Sequence, residues 1–168
     1  MLATSPALLI REVRAGDEAA IEHVLGGLDA ESRYRRWFGL GVDIRQAEDW
    51  AAHPERVGGV GLLAFVADEP VGHAVLIPTA DGRGEVAFEV AAPWRRHGIA
   101  SAFLQRLLEV AGERGLREIY ADVLPENADM LAVLREHGEH VESRDAGVVS
   151  ISLASPHSHS HLPTRRTP

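Results

Sequence analysis

Residues 85–103 read EVAFEVAAPWRRHGIASAF, and the parsing of this stretch decides the fold. The first seven residues favour a strand, and Pro93 interrupts them. From Gly98 onward, Ile99, Phe103, Leu107 and Val110 with Ala111 recur at helical spacing, which predicts a helix over 98–114 that Gly115 ends. A strand therefore leads almost directly into a long helix. Arg95, Arg96 and His97 crowd the junction. The positive end of a helix dipole disfavours cations there by roughly 0.3–1 kcal/mol each. A sequence that accepts this cost has an anion to hold.

The backbone would supply the rest of such a site. N–H groups of Gly98, Ile99, Ala100 and Ser101 open the helix and would converge on phosphate oxygens. Gly98 lets the backbone approach a ligand closely, and the small Ala100 and Ser101 leave the first turn uncrowded. Arg95, Arg96 and His97 would add charge around a pyrophosphate or a ribose phosphate. A surface loop that happens to carry arginines is the competing reading. Neither GxxxxGK(S/T) nor GxGxxG occurs, so this is no nucleotide loop of those kinds.

Working outward, residues 117–123 (REIYADV) predict a strand, 127–137 a helix closed by Gly138, and 148–153 (VVSISL) the last strand. Upstream, 8–13 reads as the first strand. Asp17 is placed to cap a helix carrying Ile21, Val24, Leu25 and Leu28, and Asp29 a second one carrying Tyr34, Trp37 and Phe38. Those aromatics would wall an acceptor entrance or simply join the core. Residues 44–52 suggest a further short helix. GGVGLLAFVAD and VGHAVLIP predict a hairpin turning at Glu69–Pro70, and TADGRG makes the next turn. The order β-α-α-β-β-β-α-β-α-β describes an α/β sandwich on a mixed sheet. One domain is expected over 1–154, followed by a disordered tail over 155–168. A solvated tail is favoured over a weak metal site at His157, His159 and His161, and no metal is expected.

Composition narrows the class. With 168 residues, 45% apolar and 25% charged, the chain can bury one sizeable core and reads as a soluble protein. A net charge of −8 argues against nonspecific nucleic-acid binding and mildly favours a basic partner. The absence of cysteine excludes disulfides, thiolate metal sites and a cysteinyl acyl-enzyme. The opening MLATSPALLIREV lacks a basic n-region, and the uncharged run near residues 57–67 is too short to span a bilayer. A cytoplasmic protein without membrane contact is expected, as a monomer or homodimer.

Residues 86–100, VAFEVAAPWRRHGIA, resemble the central motif of the GNAT superfamily of N-acetyltransferases, Q/R-x-x-G-x-G/A. Downstream, VLPENADMLAVLREHG is similar to that family's closing segment, with Asn127 matching its coenzyme-contacting asparagine. Upstream, GLDAESRYRRWFG resembles the opening helices of bacterial Pat-type protein-lysine acetyltransferases. The three matches span roughly residues 8–153. The resemblance implies a GNAT-type α/β fold: a mixed, mostly antiparallel twisted sheet flanked by helices on both faces. It also implies acetyl-CoA as cosubstrate, its pyrophosphate on the motif's amides, and an amine acceptor, either a protein lysine or a small amine.

The chemistry needs a neutral nitrogen. A lysine amine, with pKa about 10.4, is almost wholly protonated at neutral pH, so a base is worth a large factor. The resemblance places a catalytic glutamate at Glu85. Glu89, four residues on and on the same strand face, is the reserve, and repulsion between the two could raise one pKa. The resemblance also assigns the thioester oxygen to the N–H of Val90 or Ala91. The position that many relatives give to a thiolate-protonating tyrosine holds Leu134, and the only tyrosines are Tyr34 and Tyr120. A thiol with pKa of about 8.5 leaves readily, so this departure is tolerable. Glu139, standing where the family usually has an aromatic, puts local packing near the acetyl pocket in question. His73, within a strand, would line the cleft or pack as a hydrogen-bonded histidine.

Overall fold

A computed structural model describes residues 7–28, 30–31 and 49–156. Among the described residues, seven strands form one sheet: β1 (Leu8–Glu12), β2 (Val60–Val66), β3 (Glu69–Pro78), β4 (Arg83–Val90), β5 (Glu118–Val123), β6 (His140–Asp145) and β7 (Val148–Ala154). Their spatial order is β1-β2-β3-β4-β5-β7-β6. Only β4 and β5 run parallel; the other neighbours are antiparallel. The described helices include α1 (Glu18–Gly26), α2 (Ile99–Glu113) and α3 (Ala128–Glu136), and residues 49–52 are also helical. The expected second helix with Tyr34, Trp37 and Phe38, most of the next one, and the histidines of the tail lie outside the described residues.

Strand alternation sorts the side chains onto two faces. On one, Val86, Phe88 and Val90 of β4 pack with Ile119, Ala121 and Val123 of β5 beneath Ile99, Phe103, Leu104, Leu107 and Val110 of α2. On the other, Ile21 and Leu25 of α1 cover Leu63, Val75, Ile77 and Ala87. Each large apolar side chain taken from water contributes about 1.5–3 kcal/mol, so these layers dominate the stability. Helices thus cover both faces, as expected.

Gly72 of β3 sets how closely α2 can approach the sheet. A Cβ there would stand 2.8 Å from the Phe103 ring and 3.0 Å from the Glu89 carbonyl oxygen. Phe103 is fully buried and has no open side to move into. Gly72→Ala is expected to lower stability by about 1–3 kcal/mol, the usual cost of overpacking, seen as a lower urea midpoint.

Three sequence expectations change. The β2–β3 hairpin turns at Ala67 and Asp68, both at positive φ (48° and 66°), and not at Glu69–Pro70. Pro70 instead lies inside β3, where a bulge between Ala64 and Phe65 shifts the register and accommodates it. Strand β6 was not expected. As the sheet's edge it is exposed almost throughout, Val141 at 71%, so it carries no apolar alternation to read. Asp17 precedes α1, but its carboxylate does not cap the helix. It accepts two hydrogen bonds from Arg11, at 2.7 and 2.8 Å, and one from the Arg14 N–H.

Candidate active site

The site arises where the sheet splits. β4 and β5 pair only at Arg83–Glu118, Gly84–Ile119 and Glu85–Tyr120; beyond these rungs the two strands have no register. Residues 86–90 and 121–123 then line a cavity of about 370 Å³ that reaches the start of α2 and one side of α3. Of the residues expected from sequence, Glu89, Val90, Arg95, Arg96, Gly98, Ile99, Ala100, Ser101 and Asn127 line it. Glu85, Ala91 and His97 do not.

The cradle at the α2 start follows from backbone conformation. Residues 92–94 form a single 3-10 turn, and then Arg96 and Gly98 both adopt positive φ, 62° and 81°. The first bond of α2 runs from the Ala102 N–H to the Gly98 carbonyl. The N–H groups of Ile99, Ala100 and Ser101 therefore have no intrahelical acceptor. A Cβ at Gly98 would meet no atom within 4 Å, so it is the φ of 81° that favours glycine here.

The three basic side chains do different things. Arg95 turns back toward β4: its Nε donates to the Val90 carbonyl at 3.1 Å and its Nη2 to Glu89 Oε1 at 3.0 Å. Arg96 is 82% exposed and pairs at 3.4 Å with Asp129 of α3, across the mouth of the cavity. His97 donates from Nδ1 to the Arg95 carbonyl at 2.8 Å and stands edge-on to Trp94. Asn127 caps α3, its Oδ1 accepting from the Met130 N–H at 3.4 Å.

The two amides proposed for the thioester oxygen also separate. The Ala91 N–H donates to the Val71 carbonyl at 2.8 Å and is committed to β3. Alternation along the strand turns the Val90 N–H toward the β5 side, where the Glu89 carboxylate accepts from it at 3.1 Å.

Glu85 sits at the last rung before the split, on the sheet face shared with Ala87, Glu89 and, from β5, Tyr120 and Asp122. Burial pushes its carboxyl up to about 7, helped by the nearby Asp122 carboxylate and opposed by a Tyr120 hydrogen bond and the charge of Arg83. The neighbouring carboxylate that raises it is thus Asp122, not Glu89, which is engaged by Arg95. Asp122 also lines the cavity, linking the two sides of the opening. Sequence reading missed both Tyr120 and Asp122. The signal available was their i, i+2 spacing in REIYADV, useful only once β5 is known to lie beside β4.

Other candidates resolve simply. His73 is fully buried, opposite Glu89 on β3, and its Nε2 donates to the Ala51 carbonyl at 3.2 Å. Leu134 is 1% exposed and packs in the main core. Glu139 is exposed and lies away from the cavity lining. Among the described residues no cluster of three metal-binding side chains occurs, and no helix is long and apolar enough to cross a membrane.

The sheet thus splits between two parallel strands, and the helix that follows the first of them opens with unpaired amides. The chain belongs to the acetyltransferase (GNAT) family, whose profile matches residues 28–138. The GNAT domain of S. lividans PAT superposes with a TM-score of 0.74 at 28% identity, over 86% of this chain and 89% of that one. Salmonella typhimurium yncA, solved with its cofactor acetyl-CoA, superposes with a TM-score of 0.71 at 18% identity, over 92% of this chain and 96% of that one. A mycothiol acetyltransferase of Geodermatophilus obscurus is 34% identical over 128 residues, 75% of this chain. The match spans 41% of that relative's length.

Proposed function

We propose that the protein is an acetyl-CoA-dependent N-acetyltransferase that acts on a protein lysine by direct attack within a ternary complex. The observation that carries this is the carboxyl of Glu85, raised to about 7 at the point where β4 and β5 part. A base poised near working pH is what deprotonation of an ammonium requires.

The residues present fit the coenzyme. The free N–H groups of Ile99, Ala100 and Ser101, with the positive φ of Gly98, suit a pyrophosphate. Arg96 offers charge at the mouth, and the cavity between the strands suits an extended pantetheine arm. Bound there, acetyl-CoA supplies an activated acyl carbon. Glu85 accepts the proton of the incoming amine, directly or through water. The Val90 N–H, once Glu89 turns aside, is the amide available for the thioester oxygen. With no cysteine in the chain, no cysteinyl acyl-enzyme intervenes.

The resemblance of residues 27–39, GLDAESRYRRWFG, to Pat-type protein-lysine acetyltransferases favours the lysine acceptor. The mycothiol acetyltransferase match favours a small amine as the second reading. A cytoplasmic location, one folded unit over 1–154 and a monomer or homodimer belong to the same reading. Incubating lysate protein with labelled acetyl-CoA, followed by peptide mass spectrometry, separates the two acceptors. Lysine labelling above a Glu85→Gln control supports the first. Turnover of a small amine with no labelled protein supports the second.

A further inference from the structure

The position where many relatives carry a tyrosine is a core leucine here, yet a tyrosine does reach the proposed base from another element. Tyr120 of β5 is the register partner of Glu85 across the parallel rung, and its hydroxyl donates to Glu85 Oε2 at 3.1 Å. We propose that Tyr120 is a positioning residue for the transfer: it holds Oε2 and so orients the Glu85 carboxylate, leaving Oε1 to take the amine proton. This inference rests on Glu85 being the base.

Two features of the geometry support it. The phenol ring is pinned, because the Arg83 guanidinium stacks 4.3 Å above its centroid and is itself tied to Asp81 and to Glu118 at 3.6 Å. Glu85 and Tyr120 are both half-buried, so a carboxylate without that donor would lose a partner that water only partly replaces. The phenol keeps its own proton, since burial and the adjacent carboxylate both raise its pKa. Tyr120 can therefore donate to Glu85 throughout the working range, but it neither receives the amine proton nor yields its own to a thiolate. The proton taken by Oε1 leaves to solvent.

Among the described residues, the charges around Glu85 are few. Arg83 faces it from its own strand, and Tyr120 and Asp122 from β5. β3 presents Ile77 opposite, the ionisable His73 lying further along, opposite Glu89. α1 presents the apolar Ile21 and Leu25 to this layer. Of the described groups acting on the base, Tyr120 alone both touches it and favours its ionised form through a hydrogen bond.

Tyr120→Phe keeps the ring and removes the donor. Without it the protonated form of Glu85 is favoured, so the acid limb of the kcat/KM profile moves to higher pH. The expected deficit is about tenfold at pH ~6 and closes above pH ~9, with acetyl-CoA affinity unchanged and Tm lowered only at pH values where Glu85 is ionised. Carboxyl NMR of glutamate-labelled protein reads the same effect without turnover. The Glu85 signal, identified by its loss in Glu85→Gln, should titrate near 7 in the wild type and higher in Tyr120→Phe. An unshifted Glu85 titration, or a loss of rate equal at every pH, overturns the role of Tyr120 alone. A Glu85→Gln variant that retains the acid limb overturns the assignment of the base, and this inference with it.

Discussion

Glu85→Gln is expected to lower kcat for amine acetylation by about 10²- to 10⁴-fold, the usual worth of general-base catalysis, while acetyl-CoA affinity stays unchanged. Glutamine keeps the shape and can still accept from Tyr120, but it cannot take a proton. Glu85 does not line the cavity proposed for the coenzyme, so binding and catalysis should separate cleanly. In the wild type, kcat/KM should fall as pH drops through about 7, where the carboxyl becomes protonated; the variant should lack that limb. Its deficit should also shrink at high pH, where more amine is neutral unaided.

The same carboxyl makes a stability prediction. Its pKa is raised in the fold above an ordinary value of 4.5. Its favourable contribution is therefore complete below that ordinary value and is lost as pH rises through about 7. Glu85→Gln should consequently gain Tm relative to the wild type at pH ~8.5 compared with pH ~5. A higher Tm beside a collapsed kcat marks a residue kept for chemistry at some cost in stability.

Gly98→Val is expected to weaken acetyl-CoA binding by about ten- to a hundredfold, read by isothermal titration. A β-branched residue strongly resists the φ of 81° found there, and its side chain would project into the space from which a phosphate approaches. The conformation that aims the Ile99, Ala100 and Ser101 amides would be lost. Arg95→Ala should weaken binding less. Arg95 spends its guanidinium on Glu89 and the Val90 carbonyl, so its removal also frees the carboxylate that caps the Val90 N–H. Unchanged affinity in both variants would remove the proposed phosphate site.

What could be read from sequence followed from local rules. The strand-to-helix junction at Gly98, the apolar face of α2 and the helix expected from residue 127 each depend on a few neighbouring residues, and all are present. What could not be read depends on which strands meet. β6 is exposed on both faces almost throughout, so it has no buried face to pattern. The pairing of Glu85 with Tyr120 joins residues 35 apart in the chain through the one parallel contact. Arg95 illustrates the same gap: its position beside the cradle was legible, but not the carboxylate that draws it back. The two candidate amides, Val90 and Ala91, differ only in which edge of β4 each N–H faces, and that follows from the register with β3.

The most direct test of the account is acetyl-CoA turnover against a panel of amines, namely lysate protein, a lysine peptide, free lysine and spermidine. Free thiol and N-acetyl product should be measured together for the wild type and Glu85→Gln. The account predicts amine-dependent thiol release matched one for one by N-acetyl product, fastest with protein lysine, and about 10²- to 10⁴-fold slower in the variant. Tight acetyl-CoA binding without amine-dependent thiol release from any member would contradict it, and would make the protein an acyl-CoA-binding module.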